Sequence, residues 1–193
     1  MGQDKRRLRL WGPQGPTLLA HTAALATALC PEVLVVLNDP QEWPSLPARL
    51  IPDRTPGAGP LAGLASGLAA TQAERALVLA CDQPLLQIEL LRALREEPCP
   101  GDALVPTRQA ADGAVVEPLL AVYRRTCLAQ IASLLASGER RMQAAVGQFA
   151  TGYLGPAWWM RFDHDGRSFL NLNRPDDLAY AHELIAETRI SSC

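Results

Sequence analysis

With 193 residues the chain has the length of one domain, and 48% hydrophobic against 20% charged residues gives it material for an ample core. A formal net charge of −2 supplies no basic face and argues against nucleic acid as a ligand. The five cysteines are scattered without a C-x-x-C, which argues against a disulfide framework or zinc site and fits a reducing cytoplasm. No apolar run reaches the roughly 18 residues of a membrane span.

A basic cluster comes first in the chain, Lys5-Arg6-Arg7 with Arg9, which is either a solvated charge run or a phosphate contact. Thr17 can cap a helix over 18–30, stopped by Pro31. Residues 33–37 form a β-branched apolar run of strand length, and Leu50-Ile51 a shorter one. Gly59-Pro60 opens a helix through residue 71, with the proline well placed in its first turn. The uninterrupted apolar run 76–80 reads as a strand covered on both faces, and 87–96 as helix.

Further on, 103–105 and 115–122 read as strands, the second broken by Glu117-Pro118, with a polar linking segment over 108–113. Helices follow over 125–135 and 139–146, separated by Ser137-Gly138. The aromatic stretch 153–162 reads as strand-like, 163–166 as a turn, 169–172 as a strand, and 175–188 as a closing helix with Asn173 as its cap. Strands alternating with helices predict one domain over 1–193, with a mainly parallel sheet and helices on both faces.

Two segments concentrate the chemistry. Residues 52–63 place Asp53 after a strand and then a glycine-rich turn, Gly57-Ala58-Gly59, opening into a helix. Residues 77–84 place Asp82 after a buried strand and before Gln83-Pro84. Nucleotides and their metal ions bind at the carboxyl ends of strands and against helix N-termini in open α/β sheets. Asp82 can hold Mg²⁺ together with phosphate oxygens, or cap the next helix. Asp53 can share that metal, bind a ribose hydroxyl, or serve only its turn.

The glycine spacing fits neither a dinucleotide fingerprint nor a P-loop, and allows close backbone approach to a flat group such as a base. Arg140-Arg141 can place one guanidinium on a phosphate or form surface salt bridges. Asn171 and Asn173, on one side of an extended segment, can read heterocycle edges, Asn173 alternatively capping the last helix. Three isolated histidines and the absence of a G-x-S-x-G elbow give no support to a histidine metal site or a hydrolase.

Together the segments Met1-Gly2-Gln3-Asp4-Lys5, Gly59-Pro60-Leu61-Ala62-Gly63, Ala80-Cys81-Asp82-Gln83-Pro84, Glu117-Pro118-Leu119-Leu120-Ala121, Gly138-Glu139-Arg140-Arg141 and 169–178 resemble the molybdenum cofactor guanylyltransferases, the MobA-like nucleotidyltransferases. The resemblance spans essentially the whole chain. It implies a Rossmann-like three-layer α/β/α sandwich of the nucleotide-diphospho-sugar transferase type. It also implies a cytoplasmic enzyme that uses Mg²⁺ to transfer GMP from GTP to molybdopterin and releases pyrophosphate.

In that mapping Lys5 contacts the nucleotide phosphates, Asp82 holds Mg²⁺, and Asn38, Asp53 and Gly59 belong to the guanine nucleotide pocket. Arg141, Asn171 and Asn173 face the pterin. Partners would be the small-molecule substrates, with molybdoenzymes or other cofactor-biosynthesis proteins beyond them. A cytidylyltransferase of the same cofactor and a non-catalytic cofactor-binding chaperone are the competing readings.

Two features depart from the family. Glu117 stands where the family usually has His before the proline. The family also opens on an apolar strand and a glycine loop, and this chain starts at the Met-Gly of that loop. The expectations are therefore a sheet without its first strand, a start upstream of Met1, and a triphosphate cradle short of glycines. About five buried side chains at roughly 1.5–3 kcal/mol each amount to on the order of 10 kcal/mol, which rivals the stability of a whole domain.

Overall fold

The computed structural model describes residues 4–110 and 113–190. Met1–Gln3 of the first matching segment and two residues of the polar linking segment, 111 and 112, lie outside them. In chain order the elements are α1 (Leu18–Leu29), β1 (Leu34–Leu37), β2 (Arg49–Pro52), α2 (Pro60–Ala70), β3 (Arg75–Leu79), α3 (Ile88–Glu96), β4 (Ala103–Ala110), β5 (Gly113–Val116), β6 (Leu120–Arg124), α4 (Cys127–Ala136), α5 (Met142–Val146), β7 (Thr151–Leu154), α6 (Pro156–Trp159) and α7 (Pro175–Ile190).

Side-chain alternation along the strands explains the three layers. Ala76 and Val78 of β3, Ala103 and Val105 of β4, and Ala121 and Tyr123 of β6 pack on one face against Leu61, Leu64 and Leu68 of α2 and Ile131 of α4. The residues between them, Leu77, Leu79, Leu104, Leu120 and Val122, pack on the other face against Leu90, Leu91 and Leu94 of α3 and Trp159 of α6. Strands apolar at every position are what a sheet covered on both sides requires.

The sheet is mixed. β4 runs parallel to β7, and β1 to β2, whereas β6 lies antiparallel between β3 and β4. A parallel neighbour needs a crossover of a dozen or more residues. The chain reverses between β4 and β5, where Ala110 pairs with Gly113, and β6 keeps the direction of β5 after Glu117-Pro118-Leu119, so both run antiparallel to β4.

Among the described residues β1 pairs with β2 in a two-stranded sheet, whereas β3 pairs with β6 at the edge of a separate five-stranded sheet. Between them runs a cavity of about 580 Å³. Residues 33–37 line one side, residues 75–81 the other, and α1 and α2 cover it through Ala23, Ala26, Leu64 and Leu68. No strand lies between β1 and β3 among the described residues.

Several sequence expectations need correction. Residues 108–110 are strand rather than loop, because β4 continues into a hairpin in which Arg108 pairs with Val115 and Gln109 with Ala114. In the stretch 153–162 only Tyr153 and Leu154 are strand, closing β7, because Pro156 follows Gly155 and opens the short helix α6 over Pro156–Trp159. Residues 169–172 join no sheet: a 3-10 turn at Arg167–Phe169 leads into an unpaired segment. The helix after Gly138 starts only at Met142, because the Glu139 carboxylate takes the backbone N–H groups of Arg140 and Arg141 at 2.9 Å each.

Asn173 does not cap α7 with its side chain. Asp177 instead accepts from the backbone N–H groups of Asn173 and Arg174, at 2.8 and 2.6 Å. Thr17 caps α1 as expected, accepting from Ala20 N–H at 3.2 Å.

Gly63 and Gly67 lie inside α2 and line the cavity. A Cβ on Gly63 would meet nothing within 4 Å, and one on Gly67 would make an ordinary 3.5 Å contact with Val36. Interior helical glycine costs about 0.5–1 kcal/mol relative to alanine. Gly63→Ala and Gly67→Ala should therefore each raise the thermal midpoint by a few degrees, followed by circular dichroism; a lowered midpoint would contradict the description of this slot.

Candidate functional site

Strand ends converge at one rim, and the basic N-terminal run shows how. Arg6 forms an ion pair with Asp39, two residues past the end of β1, and with Asp4. Its neighbour Lys5 lies 3.7 Å from the carboxylate of Asp82, three residues past the end of β3. Adjacent residues thus touch the carboxyl ends of both strands. Asp53 joins the same rim, because its N–H donates to Leu37 O at 2.8 Å where β1 ends.

Lys5, Asp82 and Asn173 form the central cluster. The Lys5 ammonium donates to Asn173 Oδ1 at 2.9 Å, and the Leu172 N–H donates to Asp82 O at 2.9 Å. The Lys5 and Asp82 side chains keep 30% and 29% of their exposure, so both remain within reach of a ligand. Asp82 does not cap the following helix, whose N-cap is Gln87. Asn171 is half-buried, and its amide donates to Phe169 O at 3.3 Å. Cys81 next to Asp82 is no nucleophile, since burial pushes its thiol up to about 11.

A second grouping surrounds the glycine turn. Gly59 caps α2 with φ 80°, in the left-handed region that favours glycine, and Pro60 follows as the first helical residue. Its missing Cβ would stand 3.5 Å from Arg140 O, so the turn and the Gly138–Arg141 loop are close neighbours. Asp53 is tied into this region: its carboxylate accepts from Thr55 N–H and from the Ser66 hydroxyl, both at 3.0 Å. The turn role foreseen for Asp53 is therefore present, and both bonds go to the same oxygen, Oδ1.

The two arginines divide their work. Arg140 donates to Leu135 O at 2.8 Å, at the end of α4, while Arg141 keeps 78% of its side-chain exposure and pairs with Glu139. Asn38 is exposed at the end of β1.

Sequence reasoning did not foresee two charge pairs. One is Arg6 with Asp39, where the guanidinium also lies 5.5 Å from the Trp43 ring centroid. The other is Arg108 with the buried Glu117. The motif Lys5-Arg6-Arg7 carried a signal of charge but not of partner. Each of its members finds an acid: Lys5 finds Asp82, Arg6 Asp39, and Arg7 Glu42. No group of three or more His, Cys, Asp or Glu assembles as a metal cage among the described residues.

A three-layer α/β/α sandwich with Lys5, Asp82 and Asn173 gathered at its strand ends is the setting in which open α/β sheets bind nucleotides. The sequence signature of the MobA-like NTP transferase domain matches residues 1–150. A protein of Chloroflexus aggregans described as a "probable molybdenum cofactor guanylyltransferase" is 50% identical over 189 residues, covering 98% of this chain and 90% of that protein. A molybdenum cofactor guanylyltransferase of Syntrophotalea carbinolica is 31% identical, covering 92% of this chain and 82% of that protein.

Among solved structures, molybdopterin-guanine dinucleotide biosynthesis protein A from Archaeoglobus fulgidus superposes with a TM-score of 0.78 at 26% identity, over 96% of this chain and 92% of that one. A 2-C-methyl-D-erythritol 4-phosphate cytidylyltransferase from Thermus thermophilus shares the fold, with a TM-score of 0.74 at 21% identity, over 95% of this chain and 94% of that one. The chain belongs to the MobA-like NTP transferase family.

The Gly138–Arg141 loop offers a direct electrostatic test. The Arg141 guanidinium, then the Arg141 and Arg140 N–H groups, hold the Glu139 carboxyl down to about 2. A depressed carboxyl stabilises its loop above the ordinary value of about 4.3 and loses that contribution as pH falls through the folded value. An NMR titration of Glu139 should show a midpoint near 2, moving up toward about 4 in Arg141→Ala; a midpoint already near 4 in the native chain would break the assignment.

Proposed function

We propose that this chain transfers GMP from GTP to molybdopterin and forms the guanine dinucleotide form of the cofactor. The terminal phosphate of molybdopterin attacks the α-phosphorus of GTP, a new phosphorus–oxygen bond forms, and the bond to the β-phosphate breaks with release of pyrophosphate. The observation that carries this reading is the meeting of Lys5, Asp82 and Asn173 at the carboxyl ends of the strands, in a chain of the MobA-like family.

Transfer at phosphorus demands positioning and charge stabilisation more than covalent help. Lys5 is a compact point charge suited to the triphosphate, and Asn173 fixes its ammonium. Gly59 admits the nucleotide close to the backbone, with Asn38 and Asp53 beside it at the same rim. Asn171, Asn173 and the exposed guanidinium of Arg141 serve the pterin and its phosphate.

The donor set also fits Mg²⁺. That ion takes one or two protein carboxylates and leaves its other positions to water and substrate phosphates, so a lone accessible Asp82 suits it better than a closed cage would. When bound, it would neutralise charge developing on the phosphates in the transition state. We place the reaction in the cytoplasm, with molybdoenzymes or other cofactor-biosynthesis proteins receiving the product. No helix among the described residues is long and apolar enough to cross a membrane.

Asp82→Ala should lower pyrophosphate release from GTP, with molybdopterin and Mg²⁺ present, by at least about 100-fold, the scale of losing one preorganised charge. Its thermal midpoint should stay within a degree or two of the native chain. Undiminished turnover would remove Asp82 from the mechanism, and faster turnover with CTP than with GTP would replace the proposed nucleotide.

A further inference from the structure

At the same rim, Glu117 and Arg108 form a charge pair outside the Lys5–Asp82–Asn173 cluster. Glu117 is 7% exposed. Its Oε1 accepts from Arg108 Nε, whereas its Oε2 accepts no hydrogen bond from the described residues and is not fully closed off from solvent. Burial, more than any other influence, raises its proton affinity; the nearby Asp82 charge pushes the same way, and Arg108 opposes both. A carboxylate taken this far out of water is costly unless its oxygens are satisfied. A purely structural pair with arginine commonly engages both oxygens through the guanidinium fork. Here one oxygen is left over.

The backbone around Glu117 holds it firmly. Its N–H donates to Pro106 O at 2.9 Å, its carbonyl accepts from Leu120 N–H at 3.1 Å, and Pro118 follows it. Its place is set by the adjacent strand: Ala80 N–H donates to Leu119 O at 3.0 Å. Glu117 precedes that contact by two residues and Asp82 follows it by two, so both carboxylates reach the same edge.

The remaining oxygen limits what can bind there. A phosphate would be repelled by the carboxylate. A second cation would be repelled by the Arg108 guanidinium already in contact. What suits a free acceptor oxygen on a carboxylate braced by arginine is an uncharged group with adjacent N–H donors. A 2-amino-4-oxopyrimidine ring presents such an edge, a ring N–H beside an exocyclic NH₂. Guanine and the pterin of molybdopterin share it.

We propose that Glu117, held in place by Arg108, accepts from the N–H and NH₂ edge of a 2-amino-4-oxopyrimidine ring and selects substrate by that edge. The assignment rests on the guanylyl-transfer reading for its two ring sources. Glu117 is a residue of substrate selection; Arg108 is a positioning residue.

The test compares the native chain with Glu117→Gln, which keeps shape but replaces one acceptor oxygen with a donor. Pyrophosphate release is measured with GTP and with ITP, whose base lacks the 2-amino group, at varied molybdopterin. If the edge belongs to guanine, the native preference for GTP over ITP is about 10-fold or more, and the substitution brings it close to unity. If it belongs to the pterin, that preference is unchanged while KM for molybdopterin rises about 10-fold with kcat retained. Either result supports the proposal and assigns the ring.

Arg108→Lys, which keeps the charge but loses the fork, should give a smaller shift of the same parameter and serves if Glu117→Gln does not fold. A lower kcat with both KM values and the GTP/ITP ratio unchanged overturns the proposal, as does no effect. Calorimetric titration with GTP, ITP and 6-hydroxymethylpterin needs no turnover. Edge-dependent binding that Glu117→Gln removes, in a chain without transfer activity, would sink the catalytic reading and leave this one standing.

Discussion

The arrangement depends on how two strands that do not pair with each other, β1 and β3, are held at a common edge. They exchange no backbone hydrogen bonds, so the ladder that aligns neighbours elsewhere in the sheet is absent between them. The covering helices supply most of the grip, α1 through Ala23 and Ala26 and α2 through Leu64 and Leu68, on either side of the cavity. At the rim the link is ionic: Arg6 to Asp39 on the β1 side, Lys5 to Asp82 on the β3 side. Ion pairs this accessible contribute about 0–1 kcal/mol each. Their effect lies in alignment more than stability, because two adjacent residues in a 3-10 turn fix how far apart the strand ends stand.

That alignment has a chemical consequence. Lys5 neutralises Asp82 in the free chain and is itself fixed by Asn173, so the cation waits beside the carboxylate rather than swinging in solvent. In the proposed reaction a phosphate entering the rim would meet a positioned charge, with little side-chain entropy left to be lost on binding. The glycine turn and the Gly138–Arg141 loop make a second, backbone-built wall. Its shape is set by Gly59 at φ 80° and Gly138 at φ 91°, and by Arg140 turned back to the carbonyl of Leu135.

Most of the frame was legible in the sequence, for identifiable reasons. The run 76–80 was apolar at every position, and burial on both faces leaves that pattern and few others. Thr17 and Pro60 mark helix starts by local chemistry, which does not depend on the rest of the fold. The misreadings came where distant pairing overrides local preference. Arg108 and Gln109 look like loop, yet their backbones pair with Val115 and Ala114 across a hairpin. Residues 169–172 look like a strand, yet Leu172 gives its N–H to Asp82 rather than to a ladder. In the site, the motifs named Lys5, Asp82 and Asn173 but not their mutual contacts. Arg6 and Asp39 stand 33 residues apart, and no periodicity announces such a pair.

The reversed strand β6 explains why the rim carries one acid more than a purely parallel sheet would give it. A parallel strand delivers to the carboxyl edge the residues that follow it, as β1 delivers Asn38 and Asp39 and β3 delivers Asp82. An antiparallel strand delivers the residues that precede it. With Leu120 opposite Leu79, the chain just before β6 is brought to the place where β3 ends, and that chain is Glu117-Pro118-Leu119. Pro118 has no N–H to give to a ladder, so pairing is interrupted there, just after the Glu117 N–H has donated to Pro106 O. The reversal between β4 and β5, which makes the sheet mixed, therefore also brings the buried Glu117 carboxylate toward the end of β3. Topology and charge placement at this rim have one cause.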